Sequence, residues 1–132
     1  MTRAMFAGLI YAGVVFAFAF ATGVLRTIAL SLDASLTPMA AVLIELPFIL
    51  IVAWIACGAV LLRMPVPARV DLRVAMGTAA LVTIVALEFA LATAMNGSSF
   101  AEFVVSYGRP EVMLGLIGQI GFATFPLARM KR

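Results

Sequence analysis

The segment MAAVLIELPFILIVAWIACGAVLL, residues 39–62, is long enough to cross a bilayer as one helix and holds a single charged residue, Glu45. A transmembrane helix needs about 20 apolar residues to cross roughly 30 Å of hydrocarbon. Of the 132 residues in the chain, 65% are hydrophobic and the mean hydropathy is +1.20, whereas soluble domains are roughly 45–50% apolar. The segment is therefore predicted to span a membrane.

Three further apolar runs of similar length lie on either side of this segment, and short polar connectors separate them. The pattern predicts an all-α integral membrane protein, a bundle of four transmembrane helices that forms one domain over residues 1–132. The predicted spans are about 4–32, 38–62, 74–95 and 111–128. Ser99 followed by Glu102 fits a helix capping box, which predicts a short interfacial helix at about 99–107, between the third and fourth spans.

The first run allows one alternative interpretation, a cleaved signal peptide. Arg3 would form its basic end, and Ala19-Phe20-Ala21 resembles a small-x-small cleavage site. The apolar part is longer than the 7–15 residues of a usual signal peptide, and cleavage would leave an odd number of spans. We therefore expect the run to be retained as a span, and N-terminal sequencing distinguishes the two cases.

The basic residues are distributed unevenly between the two ends of the predicted spans. We call the side that holds both termini and the middle connector the inner side, and the opposite side the outer side. Seven of the nine Lys and Arg residues fall on the inner side: Arg3, Arg63, Arg69, Arg73, Arg129, Lys131 and Arg132. Because cytoplasmic loops carry the excess of basic residues, we expect a multi-pass protein of the inner (cytoplasmic) membrane with both termini in the cytoplasm.

Each predicted span carries one strongly polar residue at a similar distance from its outer end. These residues are Arg26, Glu45, Glu88 and Gln119, and we call them the polar cluster. At 1.5 Å per residue, all four would lie roughly 10 Å below the outer surface. Intramembrane ionisable residues are candidates for function, so the polar cluster is predicted to be a ligand-binding or ion-binding site.

Burial of three charges in a bilayer requires compensation, since each costs about 2.5–3.5 kcal/mol on insertion scales. We expect Arg26 to neutralise one glutamate and Gln119 to hydrogen-bond to that same carboxylate. The other carboxylate would then carry a proton or be balanced by a bound cation. Pro47 cannot donate to the Leu43 carbonyl, so it is predicted to kink the second span beside Glu45 and to turn a free carbonyl towards a cation.

The composition argues against several other functions. The chain has no His and a single Cys, Cys57, which removes the usual ligands of haem and zinc and any intramolecular disulfide. No phosphate loop, nucleophile motif, metal-ligand cluster or nucleic-acid motif is recognisable. We therefore expect no cofactor, no metal, no catalytic residue and no nucleic-acid partner, and an enzyme is the less favoured interpretation.

Two functional hypotheses follow. In the first, the protein is a small-solute, cation or proton-coupled transporter or channel-like protein, oligomeric because four short helices leave little room for an internal path. In the second, it is a non-catalytic accessory or assembly subunit of a larger membrane complex, in which the polar cluster holds the fold together or meets a charge of the partner. The expected partners are the lipid bilayer, a second copy or another membrane subunit, and a small cationic ligand or proton.

Overall fold

The computed structural model of the protein describes residues 1–131, which form helices and contain no strand. The helices are α1 (Thr2–Leu32), α2 (Pro38–Arg63), α3 (Val70–Asn96), α4 (Phe100–Ser106) and α5 (Pro110–Ala128), followed by a 3-10 turn at Arg129–Lys131. Four of them, α1, α2, α3 and α5, are long and apolar enough to cross a membrane. The predicted four-span bundle with a short helix between the third and fourth spans is confirmed. Arg132, counted above among the inner-side basic residues, lies outside the described residues, as does the Lys131 side chain.

The ends of the helices follow from local sequence. The Thr37 hydroxyl accepts from the Ala40 N–H at 3.1 Å at the start of α2, and Pro38 occupies the first turn, where its missing N–H has no intrahelical acceptor to lose. The Ser99 hydroxyl accepts from the Glu102 N–H at 3.2 Å and starts α4. Gly97 ends α3 with φ of 65°, a left-handed conformation that glycine adopts without strain.

The third span begins at Val70, four residues before the predicted start at residue 74, and it therefore includes Arg73. Its side chain was expected to stay in the connector, outside the hydrocarbon. The structure instead buries Arg73 to 7% exposure, with Nε donating to the Pro67 carbonyl at 3.3 Å and Nη1 to the Pro126 carbonyl at 3.5 Å. One backbone carbonyl of the connector between α2 and α3 and one near the end of α5 thus hold a charge for which residue type alone predicted exposure to water.

The four spans surround a common centre in the order α1, α2, α5, α3. Helix α1 packs against α2 and α3, and α5 packs against the same two helices on the other side. The buried core lies in the inner half of the bundle, with its largest side chains at Tyr11, Phe122 and Met76. By contrast, residues 16–32 of α1, 85–96 of α3 and 110–117 of α5 contain no buried side chain.

Two glycines allow the close helix packing of the inner half. A Cβ on Gly8 would clash with the Met76 carbonyl of α3, and a Cβ on Gly77 would clash with the Ala123 carbonyl of α5. Small residues permit such backbone approach in lipid, where apolar surface alone does not drive helices together. A second row of small residues on α1, Gly13, Ala17 and Ala21, faces outwards and is exposed.

Tyr11 compensates for a proline in α5. Pro126 lies inside the helix and has no N–H, so the Phe122 carbonyl four residues earlier loses its usual donor. The Tyr11 hydroxyl donates to that carbonyl at 2.9 Å, and the Tyr11 and Phe122 rings lie 5.0 Å apart. This contact joins α1 and α5 across the centre and closes the inner half.

The end of α5 is fixed to α2 by a second arginine. Arg129 Nη2 donates to the Trp54 carbonyl at 2.7 Å, and its guanidinium carbon lies 4.1 Å from the centre of the Trp54 ring. Trp54 also packs edge-on against Phe125 at 5.3 Å. A Cβ on Gly58 would come within 2.9 Å of the guanidinium, so a glycine at this position leaves room for Arg129.

Candidate binding site in the outer half

Helices α1 and α2 carry the first part of the site, an ion pair between Arg26 and Glu45. Nη1 of Arg26 donates to Oε2 of Glu45. The second carboxylate oxygen accepts from the Thr22 hydroxyl at 2.6 Å, and Thr22 lies one turn before Arg26 on the same face of α1. The Glu45 side chain is 9% exposed and that of Arg26 is 37% exposed, so the carboxylate is enclosed while the guanidinium is still accessible.

Helices α3 and α5 carry the second part, a bond between Glu88 and Gln119. Nε2 of Gln119 donates to Oε1 of Glu88 at 2.5 Å. Among the residues that the structure describes, Glu88 makes no ion pair. The amide oxygen of Gln119 is buried and accepts no hydrogen bond from the side chains and backbone that the structure describes. Glu88 is thus the one acid of the polar cluster whose protein partner is a neutral group.

Both pairs line one cavity of about 530 Å³ between the four spans. The cavity extends from Val15, Ile84 and Phe122 at the middle of the bundle to Leu30 and Pro38 near the outer ends of α1 and α2. Its volume falls within the roughly 300–1,000 Å³ of small-molecule sites. The polar cluster therefore surrounds an accessible space, which its four side chains do not fill.

Three polar residues line the outer part of the cavity, close to the end of α4 and the start of α5: Tyr107, Arg109 and Glu111. Burial and, to a lesser extent, the negative charge of Glu88 raise the pKa of the Tyr107 phenol above its usual value. Tyr107 therefore keeps its proton at neutral pH and can donate a hydrogen bond into the cavity. Arg109 and Glu111 place opposite charges at the entrance.

The sequence prediction and the structure agree on which residues meet but differ on how they pair. All four members of the polar cluster lie about 9–14 Å below the outer ends of their helices, and all four line the cavity. Gln119 was expected to bond the carboxylate that Arg26 neutralises, whereas it bonds Glu88. Helix α5 lies beside both α2 and α3, but both carboxylate oxygens of Glu45 already accept from Thr22 and Arg26 of α1, and the Gln119 amide bonds Glu88 of α3.

Pro47 lies outside this site. The helix α2 continues through Pro47, and both Pro47 and Leu43 are exposed on the surface of the bundle. Neither residue lines the cavity. The predicted cation-facing carbonyl of Leu43 is thus on the opposite side of α2 from the carboxylates, and the predicted kink stays a prediction.

Sequence reasoning missed Thr22 and the residues at the entrance. The Thr22 hydroxyl also lies 3.0 Å from the Ala19 carbonyl of its own helix, the acceptor that a helical threonine commonly uses. Its position four residues before Arg26 was the signal that it could reach the same partner. Nothing in the sequence indicated that Tyr107 would lie over the cavity, because that depends on how α4 folds back.

Searches of family models, curated proteins and solved structures find no match to this chain. The geometry of the cavity and its polar cluster is therefore the basis for inferring a function.

Proposed function

We propose that the protein is a small membrane transporter or channel-like protein whose outer-half cavity binds a small cation, either an organic ammonium ion or a proton. The observation that carries the proposal is the pairing inside the cavity. Arg26 and Glu45 neutralise each other, whereas Glu88 has only the neutral amide of Gln119. The ionised site would therefore hold one net negative charge in a largely apolar surrounding.

A cation in this cavity would be stabilised by charge and by shape together. The carboxylate of Glu88 offers an ion pair, and the Tyr107 hydroxyl and the buried amide oxygen of Gln119 add polar contacts. The remaining wall is mainly apolar, including Ile84 and Phe122. An intramembrane acid without a charged partner costs free energy, and a bound cation would remove that cost.

Gln119 can serve both charge states of Glu88. In the present arrangement its NH₂ group donates to the carboxylate. After a half-turn about its last side-chain bond, the amide oxygen would face Glu88 and accept from a protonated carboxyl group. Exchange of a proton for an organic cation at Glu88 would then need no movement of the backbone, which supports proton coupling.

The inner half supports an alternating-access mechanism. The cavity reaches no further inwards than Val15 and Phe122, and below it the Tyr11 hydroxyl holds the Phe122 carbonyl. Release of a solute on the inner side would require α1 and α5 to separate at this contact. With the termini in the cytoplasm, as the basic residues favour, the cavity would open to the external side of the inner membrane.

The test is to measure the affinity of the purified protein for tetramethylammonium by isothermal titration calorimetry in a non-ionic detergent. We expect Glu88→Gln to weaken binding by at least about tenfold, because it removes the one charge of the polar cluster that has no ionic partner among the described residues. Glu102→Gln is the matched control, since Glu102 is exposed on α4 and does not line the cavity. Equal affinity in wild type and Glu88→Gln would refute the proposal.

One observation fits the second hypothesis, an accessory or assembly subunit, as well as an oligomeric transporter. The exposed row of Gly13, Ala17 and Ala21 would let another helix approach α1 closely. That helix would belong to a second copy in an oligomeric transporter or to a different protein in a larger complex. Purification in a mild detergent distinguishes them: a homo-oligomer supports the first hypothesis, and a stoichiometric foreign subunit supports the second.

A further inference from the structure

A second crevice, of about 400 Å³, lies between α1 and α3 on the side of the bundle. Its α1 wall includes Phe16, Phe20 and Val24, and its α3 wall includes Leu91 and Ala92. Phe20 and Val24 are exposed on the surface, which in a bilayer is the surface that faces lipid. The crevice is therefore an apolar opening towards the outer leaflet.

The crevice and the central cavity meet at the polar cluster. Arg26, Glu88 and Ala19 line both spaces. Glu88 is thus accessible along two routes, from the outer water through the cavity and from the side through the crevice. A molecule that enters from the side can reach the carboxylate without leaving the membrane.

Polar groups mark the outer end of the crevice. Thr27 and Asn96 line it near the ends of α1 and α3 and are exposed. Below them Arg26 lies on one wall and Glu88 on the other. Because Arg26 already pairs with Glu45, it repels a cation only weakly. Where the crevice meets the central cavity, the unpaired charge that a ligand reaches is therefore that of Glu88.

We propose that the site takes amphiphiles with an ammonium head group and an alkyl tail, which enter from the outer leaflet through the α1–α3 crevice. The head group pairs with Glu88, and the tail lies between α1 and α3 against Phe16, Phe20 and Leu91. This inference rests on the proposed function and adds to it the substrate class and the route of entry. A tail of this kind gains contact with the crevice, whereas a short ammonium ion fills only the central cavity.

Gly23 allows the crevice to be filled from a position that does not line the cavity. It lines the crevice and not the cavity, and a Cβ added there would meet only Arg26 Nη2, at an ordinary 3.8 Å. Gly13 on the same helix has no atom within 4 Å of an added Cβ and lines neither space. Gly23→Leu and Gly13→Leu therefore form a matched pair, and Ala92→Leu fills the crevice from the opposite wall.

The experiment compares dodecyltrimethylammonium with tetramethylammonium by native mass spectrometry of the full chain in a non-ionic detergent. We expect Gly23→Leu and Ala92→Leu to weaken binding of the long ligand by about tenfold or more and to leave the short ligand within about twofold. Gly13→Leu should change neither. Retained binding of the short ligand also shows that each variant is folded.

Two results would overturn the inference while sparing the proposed function. One is unchanged binding of the long ligand to both filled variants. The other is an equal loss of both ligands in Ala92→Leu and Gly23→Leu when both variants keep the helical circular dichroism of the wild type. If instead neither ligand binds the wild type, or Glu88→Gln binds both normally, the proposed function itself fails. The two proposals can therefore be rejected separately.

Discussion

The inner and outer halves of the bundle use the same four helices in opposite ways. In the inner half, Ala and Gly let the backbones approach, and Tyr11 and Phe122 fill the centre. In the outer half the centre is a cavity lined by Arg26, Glu45 and Glu88. Charged side chains need partners and space, whereas small apolar ones allow contact. The bundle is therefore closed where small residues meet and open where Arg26, Glu45 and Glu88 lie.

The largest effect should come from adding one methyl group in the inner half. Gly77→Ala would place Cβ against the Ala123 carbonyl, and since a backbone atom cannot rotate away, we expect a loss of about 3 kcal/mol in the free energy of unfolding. Gly115→Ala, in the outer half, has no atom within 4 Å of the added Cβ and should be neutral or slightly stabilising, by up to about 1 kcal/mol. Unfolding in SDS, followed by circular dichroism, measures both. Similar losses in the two variants would contradict an open outer half.

The next effect tests the bond that closes the inner half. Tyr11→Phe removes the donor to the Phe122 carbonyl, which is left buried without a partner, and we expect a cost of about 2 kcal/mol. Pro126→Ala restores the N–H that can donate to that carbonyl from within α5. A double-mutant cycle should therefore show a smaller cost of Tyr11→Phe in the Pro126→Ala background. An unchanged cost would mean that the hydroxyl does not compensate for the proline.

A smaller effect separates the two acids of the outer half. Glu45→Gln leaves Arg26 without an anionic partner, but Arg26 is more than a third exposed, so we expect a loss of only about 1–2 kcal/mol. Glu88→Gln removes a charge that has no cationic partner and should leave stability unchanged or raise it. The same SDS unfolding measurement applies. A large loss in Glu88→Gln would favour a purely structural network over a binding site.

The smallest effect concerns the turn that joins α1 to α2 at the outer rim. Hydrogen bonds from the hydroxyl and the N–H of Ser35, at 2.6 and 2.9 Å, lower the pKa of Asp33. Because the folded pKa lies below the unfolded one, this carboxylate stabilises the fold above the ordinary carboxyl range, and its contribution is lost as the pH falls through the lowered folded pKa. Asp33→Asn should remove that part of the acid sensitivity in thermal melts recorded over a pH series. A melting profile of Asp33→Asn identical to wild type at every pH would show that the turn contributes nothing.

The polar cluster shows which features of the site could be predicted from the sequence. Counting from helix ends placed Arg26, Glu45, Glu88 and Gln119 at one depth, since the rise per residue of a helix is fixed. The partner of each could not be counted in this way. Helix α5 lies beside both α2 and α3, so which acid Gln119 bonds depends on the direction of its side chain and on which carboxylate α1 already holds. Both are properties of the packed bundle.

Hydropathy and turn residues alone determined the number of spans, their approximate ends and the short helix before α5, because apolar length and capping are local properties. The tertiary structure decided that Arg73 is buried and that Glu45 and Glu88 face a cavity. It also decided that Gly8 and Gly77 lie at close helix contacts within the bundle, whereas Gly13 does not. These outcomes depend on which helix faces which. In lipid every face of an apolar helix is equally acceptable to the solvent, so the choice is made by backbone approach and hydrogen bonds between helices that are distant in sequence.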